Sequence, residues 1–314
     1  MPYISVVLAM LIWAGSGIAV KEALVVFTPL TLIVLRFTLA VILMLSIGLI
    51  FRQNDILCLQ RMDRKDLPLF LLGGLFQPFL YFIFETYTYQ SFASPTIAEA
   101  MLSTQPVLAP IFAFVLLRER VTRNNIIGIL LSTIGMLMLL LMSNGDMGNG
   151  LLDMGNGKGV ILAILTVSMS VSYSAILRRI PSRYSPLSIV FYVQSISLVL
   201  FYIVWIVMGE VGVLLHHTTP FYTTLHNTPQ LLQSCLAVGY LAVLSSVAAF
   251  VLFCYTVRQI GVTRANIFNN VRPVFTAILM WILFGEMLPI WKLVGIAVII
   301  LGLFVSEKKV KKQP

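Results

Sequence analysis

The sequence predicts an all-α polytopic membrane protein in which ten transmembrane helices form two inverted five-helix repeats. Three observations lead to this fold class: the composition, a series of long apolar segments, and an alignment of the second half of the chain with the first. Hydrophobic residues make up 59% of the 314 residues and charged residues only 11%, whereas an ordinary soluble domain carries about a quarter charged residues. With a mean hydropathy of +0.96, the chain has more apolar surface than a soluble domain can bury.

Ten apolar segments are bounded by polar residues, glycine or proline, and each is long enough to cross a bilayer, which takes about 20 residues. The predicted spans are 3–25, 30–51, 67–89, 95–117, 124–142, 158–177, 186–208, 231–257, 263–284 and 289–306. The first span lacks a basic stretch before its apolar run and is longer than a signal-peptide core. We therefore expect it to be a retained helix and not a cleaved signal.

The basic residues predict the orientation of these spans. Placing the N-terminus in the cytoplasm puts sixteen Lys and Arg residues on the inner side and only Lys21, Lys158 and Lys292 on the outer side. Because basic residues concentrate on the cytoplasmic side of helical membrane proteins, both termini are expected to be cytoplasmic, with the chain in the cytoplasmic (inner) membrane. The net charge of +9 is thus explained by topology, and no nucleic-acid partner is predicted.

The longer outer loops contain no recognisable metal or cofactor site. The segment 143–157 contains the pentapeptide Asp-Met-Gly-Asn-Gly twice, and a flexible linker is favoured there over a weak cation site. The loop 209–229 holds His216, His217 and His226, without the surrounding ligand pattern of a metal site. Three scattered cysteines define neither a disulfide framework nor a metal site.

The second half of the chain repeats the first. An offset of 167 residues aligns the fourth and fifth spans with the ninth and tenth, and an offset of 157 aligns the first two spans with the sixth and seventh. The matched residues include Pro29/Pro186, Pro106/Pro273, Glu119/Glu286, Gly128/Gly295 and Gly135/Gly302. Because each unit has an odd number of spans, the second must enter the membrane in the opposite direction. Such inverted repeats are typical of transporters that bind substrate between their halves.

These boundaries predict four parts of the chain. The first five-helix repeat occupies 1–142 and the second occupies 158–306. A Gly/Asn-rich linker outside the cytoplasm, 143–157, joins them, and a basic cytoplasmic tail follows at 307–314.

Several short motifs occur in a fixed order along the two repeats. They are Leu11-Ile12-Trp13-Ala14-Gly15-Ser16, then Leu35-Arg36-Phe37, then the run from Pro106 through Arg118-Glu119-Arg120-Val121-Thr122, and its copy from Pro273 to Glu286. This order, over nearly the whole chain, resembles the EamA-type branch of the drug/metabolite transporter superfamily. The resemblance implies a cytoplasmic-membrane carrier that exports, or in some cases takes up, small metabolites such as amino acids.

Apart from charged residues assigned to the ends of the spans, four are assigned to the membrane interior: Arg36, Glu85, Glu99 and Arg272. A charge at the centre of a spanning helix costs about 2.5–3.5 kcal/mol on insertion scales, so these side chains are expected to face the interior of the bundle. Arg36, Glu85 and Glu99 are predicted to lie at similar depth. A structural ion-pair cluster and a site for substrate or proton coupling are both compatible with this placement.

Polar residues recur at matched positions of the fourth and ninth spans, which predicts an aqueous cavity between the repeats. The matched pairs are Glu99/Asn266, Ser103/Asn270 and Gln105/Arg272. Hydrogen bonding between packed helices is the competing interpretation of these pairs. Further aromatic and polar cavity candidates are Trp13, Tyr81 and Tyr173.

Arg272 is expected near the bilayer centre, with Asn269 beside it. Its guanidinium is suited to bind a substrate carboxylate, while carboxylates of the first repeat approach an amine. An amino acid is the simplest such substrate. The competing interpretation pairs Arg272 with Glu99 or with carbonyls released by Pro273.

The function predicted from these features is that of a secondary transporter which moves small metabolites by alternating access, with lipid, substrate and protons as partners and without a cofactor. No P-loop is present, so ATP hydrolysis within the chain is not expected. A passive facilitator or channel shares the same features. An intramembrane enzyme is less well supported, because no histidine lies in a span and no catalytic carboxylate motif occurs.

Overall fold

The structure, a computed structural model, describes residues 2–92, 98, 101–102, 123–141, 157–209, 228–285 and 290–307. Throughout these residues the chain forms helices and connecting turns, with no β-strand. The long helices are α1 (Pro2–Ala23), α2 (Pro29–Ile50), α3 (Leu67–Ser91), α4 (Arg123–Leu141), α5 (Gly157–Arg179), α6 (Pro186–Val207), α7 (228–260), α8 (262–284) and α9 (Ile290–Glu307). Most of the fourth predicted span, 95–117, and nearly all of the predicted linker 143–157 and tail 307–314 lie outside the described residues.

Six of the described helices are long and apolar enough to cross a membrane. They are α1, α2, α3, α5, α6 and the part of α7 from Gln230 to Ile260. Shorter apolar stretches lie in α4, α8 and α9. The chain is therefore a polytopic, all-helical membrane protein, as the composition predicts.

The second helix of each predicted repeat begins in the same way. The side chain of Thr28 caps α2 and that of Ser185 caps α6, in each case by accepting a hydrogen bond from the backbone N–H three residues later. Pro29 and Pro186 follow as the first helical residues, where the missing N–H of proline is not needed. Both helices run for 22 residues, so the 157-residue offset relates helices with the same start and length.

Two helices are interrupted at corresponding positions. α3 widens into π-helical turns at Leu75–Leu80, where Gln77 has a non-helical backbone (φ −147°, ψ 116°). α7 widens at Leu241–Ala249, a range that includes the segment 167 residues after Leu75–Leu80. The ninth predicted span is also not one regular helix, because a 3₁₀ turn at Phe268–Val271 precedes the helix Arg272–Phe284. Irregular backbone at membrane depth requires protein groups or water to satisfy it.

The helices of the two halves are interdigitated. α1 of the first half lies against α7 and α8 of the second, while α5 of the second half lies against α3 of the first. α2 packs on α6, and aromatic rings of three helices meet there: Phe37 has its ring centroid 4.9 Å from that of Phe82 and 5.3 Å from that of Phe201. The core is therefore shared between the repeats and does not form two separate domains.

The last helices of the two halves, α4 and α9, pack on each other with close approach at Gly135. A Cβ atom added to Gly135 would lie 2.6 Å from the carbonyl oxygen of Gly295 and 2.8 Å from the backbone nitrogen of Ile299. Because both neighbours are backbone atoms, a side chain at this position requires the helices to separate. Small residues at such contacts are typical of membrane helix pairs.

Replacing Gly135 with alanine is expected to destabilise the protein by about 1–3 kcal/mol, the usual cost of overpacking. The measurement is the thermal unfolding midpoint of the detergent-purified protein. Gly239→Ala is the matched control, since a Cβ there meets no atom within 4 Å among the described residues, and it should leave the midpoint unchanged or slightly raised. Equal midpoints for the two variants would contradict the close approach of α4 and α9.

Candidate functional site

A buried cavity lies where α1, α2, α3, α5, α7 and α8 meet. Its volume is about 20 Å³, which is room for roughly one water molecule. Three charged residues line it: Arg36, Glu85 and Arg272. All three are at least 95% buried, so the charges are enclosed by protein and do not face the lipid.

Arg36 is held by the interrupted segment of α7. Its Nε donates to Ser246 Oγ at 2.6 Å and its Nη2 donates to Ser245 Oγ at 2.8 Å. Its Cζ lies 4.3 Å from the ring centroid of Phe82, within the range of a cation–π interaction. Ser245 is at the centre of the apolar helix Gln230–Ile260, which places the guanidinium near mid-membrane.

The same interrupted segment receives side chains from two further helices. Trp13 Nε1 of α1 donates to the carbonyl oxygen of Ser245 at 3.2 Å, and Gln194 Nε2 of α6 donates to that of Ser246 at 2.6 Å. Ser16 Oγ donates to Ser245 Oγ at 2.8 Å. The carbonyls at this break are thus satisfied by protein groups from both halves.

Glu85 is hydrogen-bonded within its own helix. Tyr81 Oη donates to Glu85 Oε1 at 2.7 Å, and the carboxyl also experiences the charges of Arg36 and Arg272. The guanidinium of Arg36 is hydrogen-bonded to serine hydroxyls, and its charge acts on Glu85 through space. The cavity therefore has Arg36, Glu85 and Tyr81 in its lining. The sequence predicts a cluster of Arg36, Glu85 and Glu99, and Glu99 lies outside the described residues.

Arg272 begins the regular part of α8. Its Cζ lies 5.8 Å from the ring centroid of Trp13, and Asn269 lines the cavity beside it. Asn269 Nδ2 donates to the backbone carbonyl of Asn266 at 3.2 Å and to its Oδ1 at 3.3 Å. These two hydrogen bonds to Asn266 orient the side chain of Asn269 within the 3₁₀ turn.

The other predicted site residues fall elsewhere. Tyr173 is 2% exposed and belongs to the apolar core, and the described lining of the cavity does not include it or Asn266. The side chain of Asn270 and the residues Glu99, Ser103 and Gln105 lie outside what the structure describes.

Five lining residues were not identified from sequence: Gln77, Phe82, Ser245, Phe250 and Phe253. Ser16 and Ser170 also line the cavity, and small residues at such positions are expected first at helix contacts. A neutral glutamine before proline in the middle of an apolar span is a signal that could have identified Gln77. The phenylalanines carry no such signal because apolar spans contain many.

A second polar network joins the halves at the ends of α2, α3, α5 and α7, the side that the charge distribution predicts to be cytoplasmic. Arg183 forms ion pairs with Asp63, at 2.6 Å, and with Asp66. Tyr184 Oη donates to Asp66 at 2.7 Å, and Arg258 donates to the carbonyl oxygen of Tyr184. These contacts link the 52–66 connection of the first half to the 180–185 connection of the second.

Comparison with known proteins shows the family to which the chain belongs. The model of the EamA-like transporter family matches residues 1–141 and again 157–307. This chain belongs to the EamA-like transporter family. The two matches also show that the EamA repeat occurs twice.

Relatives of this EamA-family chain carry transporter names. A Bacillus subtilis protein named "Uncharacterized transporter YcxC" is 28% identical, over 99% of this chain and 95% of its own length. A Chlamydia muridarum protein named "S-adenosylmethionine/S-adenosylhomocysteine transporter" is 24% identical, over 93% of this chain and 86% of its own length. A solved crystal structure with 21% identity matches with a TM-score of 0.71, over 98% of this chain and 96% of that one, and shows the same fold.

The second network predicts a pH dependence of stability. The hydrogen bond from Tyr184, and then the bond and charge of Arg183, lower the pKa of Asp66. A carboxyl whose pKa is lowered on folding stabilises the protein above its unfolded pKa of about 3.9 and loses that stabilisation as the pH falls through the folded value. Asp66→Asn should therefore lower the thermal unfolding midpoint at pH 7, and its difference from wild type should shrink below about pH 4.

Asp55→Asn is the control for this measurement, because Asp55 lies in the same connection but is exposed. It should follow the wild type at every pH. A difference between Asp66→Asn and wild type that stays constant from pH 7 to the acid limit would contradict the role of the Asp66 carboxylate.

Proposed function

We propose that this protein is a secondary transporter that exports or exchanges small metabolites, amino acids being the simplest case, by alternating access. The observation that carries the proposal is the meeting of Arg36, Glu85 and Arg272 on one buried cavity near mid-membrane. Ionisable residues at this depth are rare and typically mark a transport pathway. They come from α2, α3 and α8, so both halves contribute to the site.

The proposed architecture has ten spans in two inverted repeats with both termini cytoplasmic. The paired helix starts at Thr28 and Ser185, the paired interruptions in α3 and α7, and the duplicated family match support it. Inverted repeats give a substrate site at their interface that opens alternately to each side. The protein is proposed to act in the cytoplasmic membrane.

The charges favour a zwitterionic substrate. A guanidinium binds a carboxylate through two parallel hydrogen bonds, and Arg272 is the candidate for this role. Glu85 is the candidate partner of an amine, and Trp13, Phe250 and Phe253 supply aromatic surface. Both metabolites in the name of the Chlamydia muridarum relative contain an amino-acid group, which agrees with this chemistry.

The small volume of the cavity favours a carrier over a passive facilitator. A volume of about 20 Å³ admits roughly one water molecule, so this conformation holds no substrate and must open to bind one. The Asp66–Arg183–Tyr184 network joins the halves on the proposed cytoplasmic side, and its contacts must separate for substrate to enter from the cytoplasm.

The proposal predicts saturable counterflow of L-amino acids in proteoliposomes. Vesicles preloaded with an unlabelled L-amino acid should transiently accumulate the same radiolabelled amino acid, and Arg272→Gln should abolish this accumulation because the carboxylate loses its partner. Arg264→Gln is the matched control, since Arg264 precedes the site in the same helix but is exposed. Unsaturable flux would indicate a passive pore, and full activity of a folded Arg272→Gln protein would remove Arg272 from the site.

Glu85 is further proposed to carry a proton that is exchanged against substrate. A carboxyl group in an apolar pathway can bind and release a proton, unless a nearby cation keeps it ionised. Glu85→Gln should then abolish the dependence of counterflow and net transport on pH, whereas Glu22→Gln, at the end of α1, should preserve it. Unchanged pH dependence in Glu85→Gln would exclude this carboxyl as the coupling group, and loss of folded protein would indicate a structural role beside Arg36.

A further inference from the structure

Gln77 interrupts α3 at the wall of the cavity. Its backbone is extended in the middle of a helix that otherwise runs from Leu67 to Ser91, and Pro78 follows it with no N–H to continue the helical bonds. The side chain is 5% exposed and lines the cavity together with Arg36, Glu85 and Arg272. The interruption therefore places a neutral amide among the charged groups of the site.

The amide of Gln77 makes no hydrogen bond to another protein group in the described part of the chain. A carboxamide has two donor hydrogens and one acceptor oxygen, and burying it without a partner is unfavourable. Gln194, a glutamine of similar burial, is partly satisfied, because its Nε2 donates to the carbonyl oxygen of Ser246 while its Oε1 has no hydrogen-bond partner in the described part of the chain. The hydrogen-bonding capacity of Gln77 is thus directed to whatever occupies the cavity.

The two interrupted helices differ in the hydrogen bonding of the polar groups at their breaks. At the break in α7, Trp13, Arg36 and Gln194 bind the backbone and hydroxyl groups of Ser245 and Ser246. At the break in α3, Ser197 Oγ donates to the carbonyl oxygen of Gly74 at 2.7 Å, while Gln77 stays open to the cavity. Within the described residues, side chains from other helices bind the break in α7, and the amide of Gln77 at the break in α3 makes no hydrogen bond to protein.

We infer that Gln77 is a specificity-determining residue whose amide binds a neutral hydrogen-bonding group of the substrate, such as a carboxamide or hydroxyl. This inference rests on the proposed function and adds to it a preference within the zwitterionic substrates. Arg272 and Glu85 contact the charged ends that all amino acids share. Gln77 distinguishes substrates by the neutral polar groups of their side chains, because an amide can both donate a hydrogen bond to such a group and accept one from it.

The first test places Gln77 in the pathway without reference to any substrate. In a background with Cys58, Cys235 and Cys254 replaced by serine, Gln77→Cys and Gln194→Cys are compared for their rate of modification by a small methanethiosulfonate reagent in membranes. Because thiol reactivity follows access, Gln77→Cys should react about tenfold faster or more. Equal or slower modification would overturn the inference.

The second test measures selectivity between L-asparagine and L-leucine, which have side chains of nearly the same shape. Gln77→Leu should lower the asparagine-to-leucine ratio of initial counterflow rates by about tenfold, the usual consequence of one lost hydrogen bond at a buried site. A merely structural role of Gln77 would reduce both rates equally, and that outcome would overturn the inference. Ser197→Ala, which alters the same break but not the cavity wall, should leave the ratio unchanged.

The two tests separate failure of this inference from failure of the proposed function. A wild type that transports neither amino acid contradicts the proposed substrate class, and the labelling rates then decide whether Gln77 faces the pathway. A wild type that transports both with a ratio insensitive to Gln77→Leu contradicts only the role of Gln77.

Discussion

The bidentate attachment of Arg36 to Ser245 and Ser246 is the interaction on which the site depends. A guanidinium in the middle of a membrane-spanning helix is stable only if protein groups replace its hydration. Here the hydroxyls of an interrupted helix provide them at 2.6 and 2.8 Å, and the ring of Phe82 covers one face. Because Arg36 belongs to the first half and both serines to the second, the same bonds also hold the halves in register.

The interlocked packing follows from this arrangement. α1 contacts helices of the second half and α5 contacts α3 of the first, so the cavity is bounded by both repeats wherever it is described. Neither half can move as a rigid body relative to the other unless these contacts break and new ones form. The proposed alternating access would require one set of contacts between the halves to be replaced by another. The interrupted segments of α3 and α7 are where the helices have irregular backbone bonding.

The sequence was sufficient for the class of polytopic helical membrane protein, and it singled out Arg36, Glu85 and Arg272 as charged residues within spans. Composition and repeated apolar runs are properties of the whole chain, and charges such as Arg36 and Arg272 stand out because spanning helices exclude them. The role of Ser245 was not predictable, since serine is common in membrane helices and can bond to its own backbone. Tyr173 was predicted at the cavity and lies in the apolar core, because the face that a helix turns inward depends on packing that residue type alone does not reveal.

The small size of the cavity has a consequence for the permeability of the membrane to water and ions. In the proposed transport cycle, a passage through this conformation without substrate would transfer about one water molecule, since the cavity volume is about 20 Å³. An inorganic cation would have to shed its hydration shell to enter, and it would then meet two fixed positive charges, Arg36 and Arg272, against one carboxyl group, Glu85. In the proposed alternating-access cycle, the unloaded protein would therefore change its open side while the ion gradients of the cell are preserved.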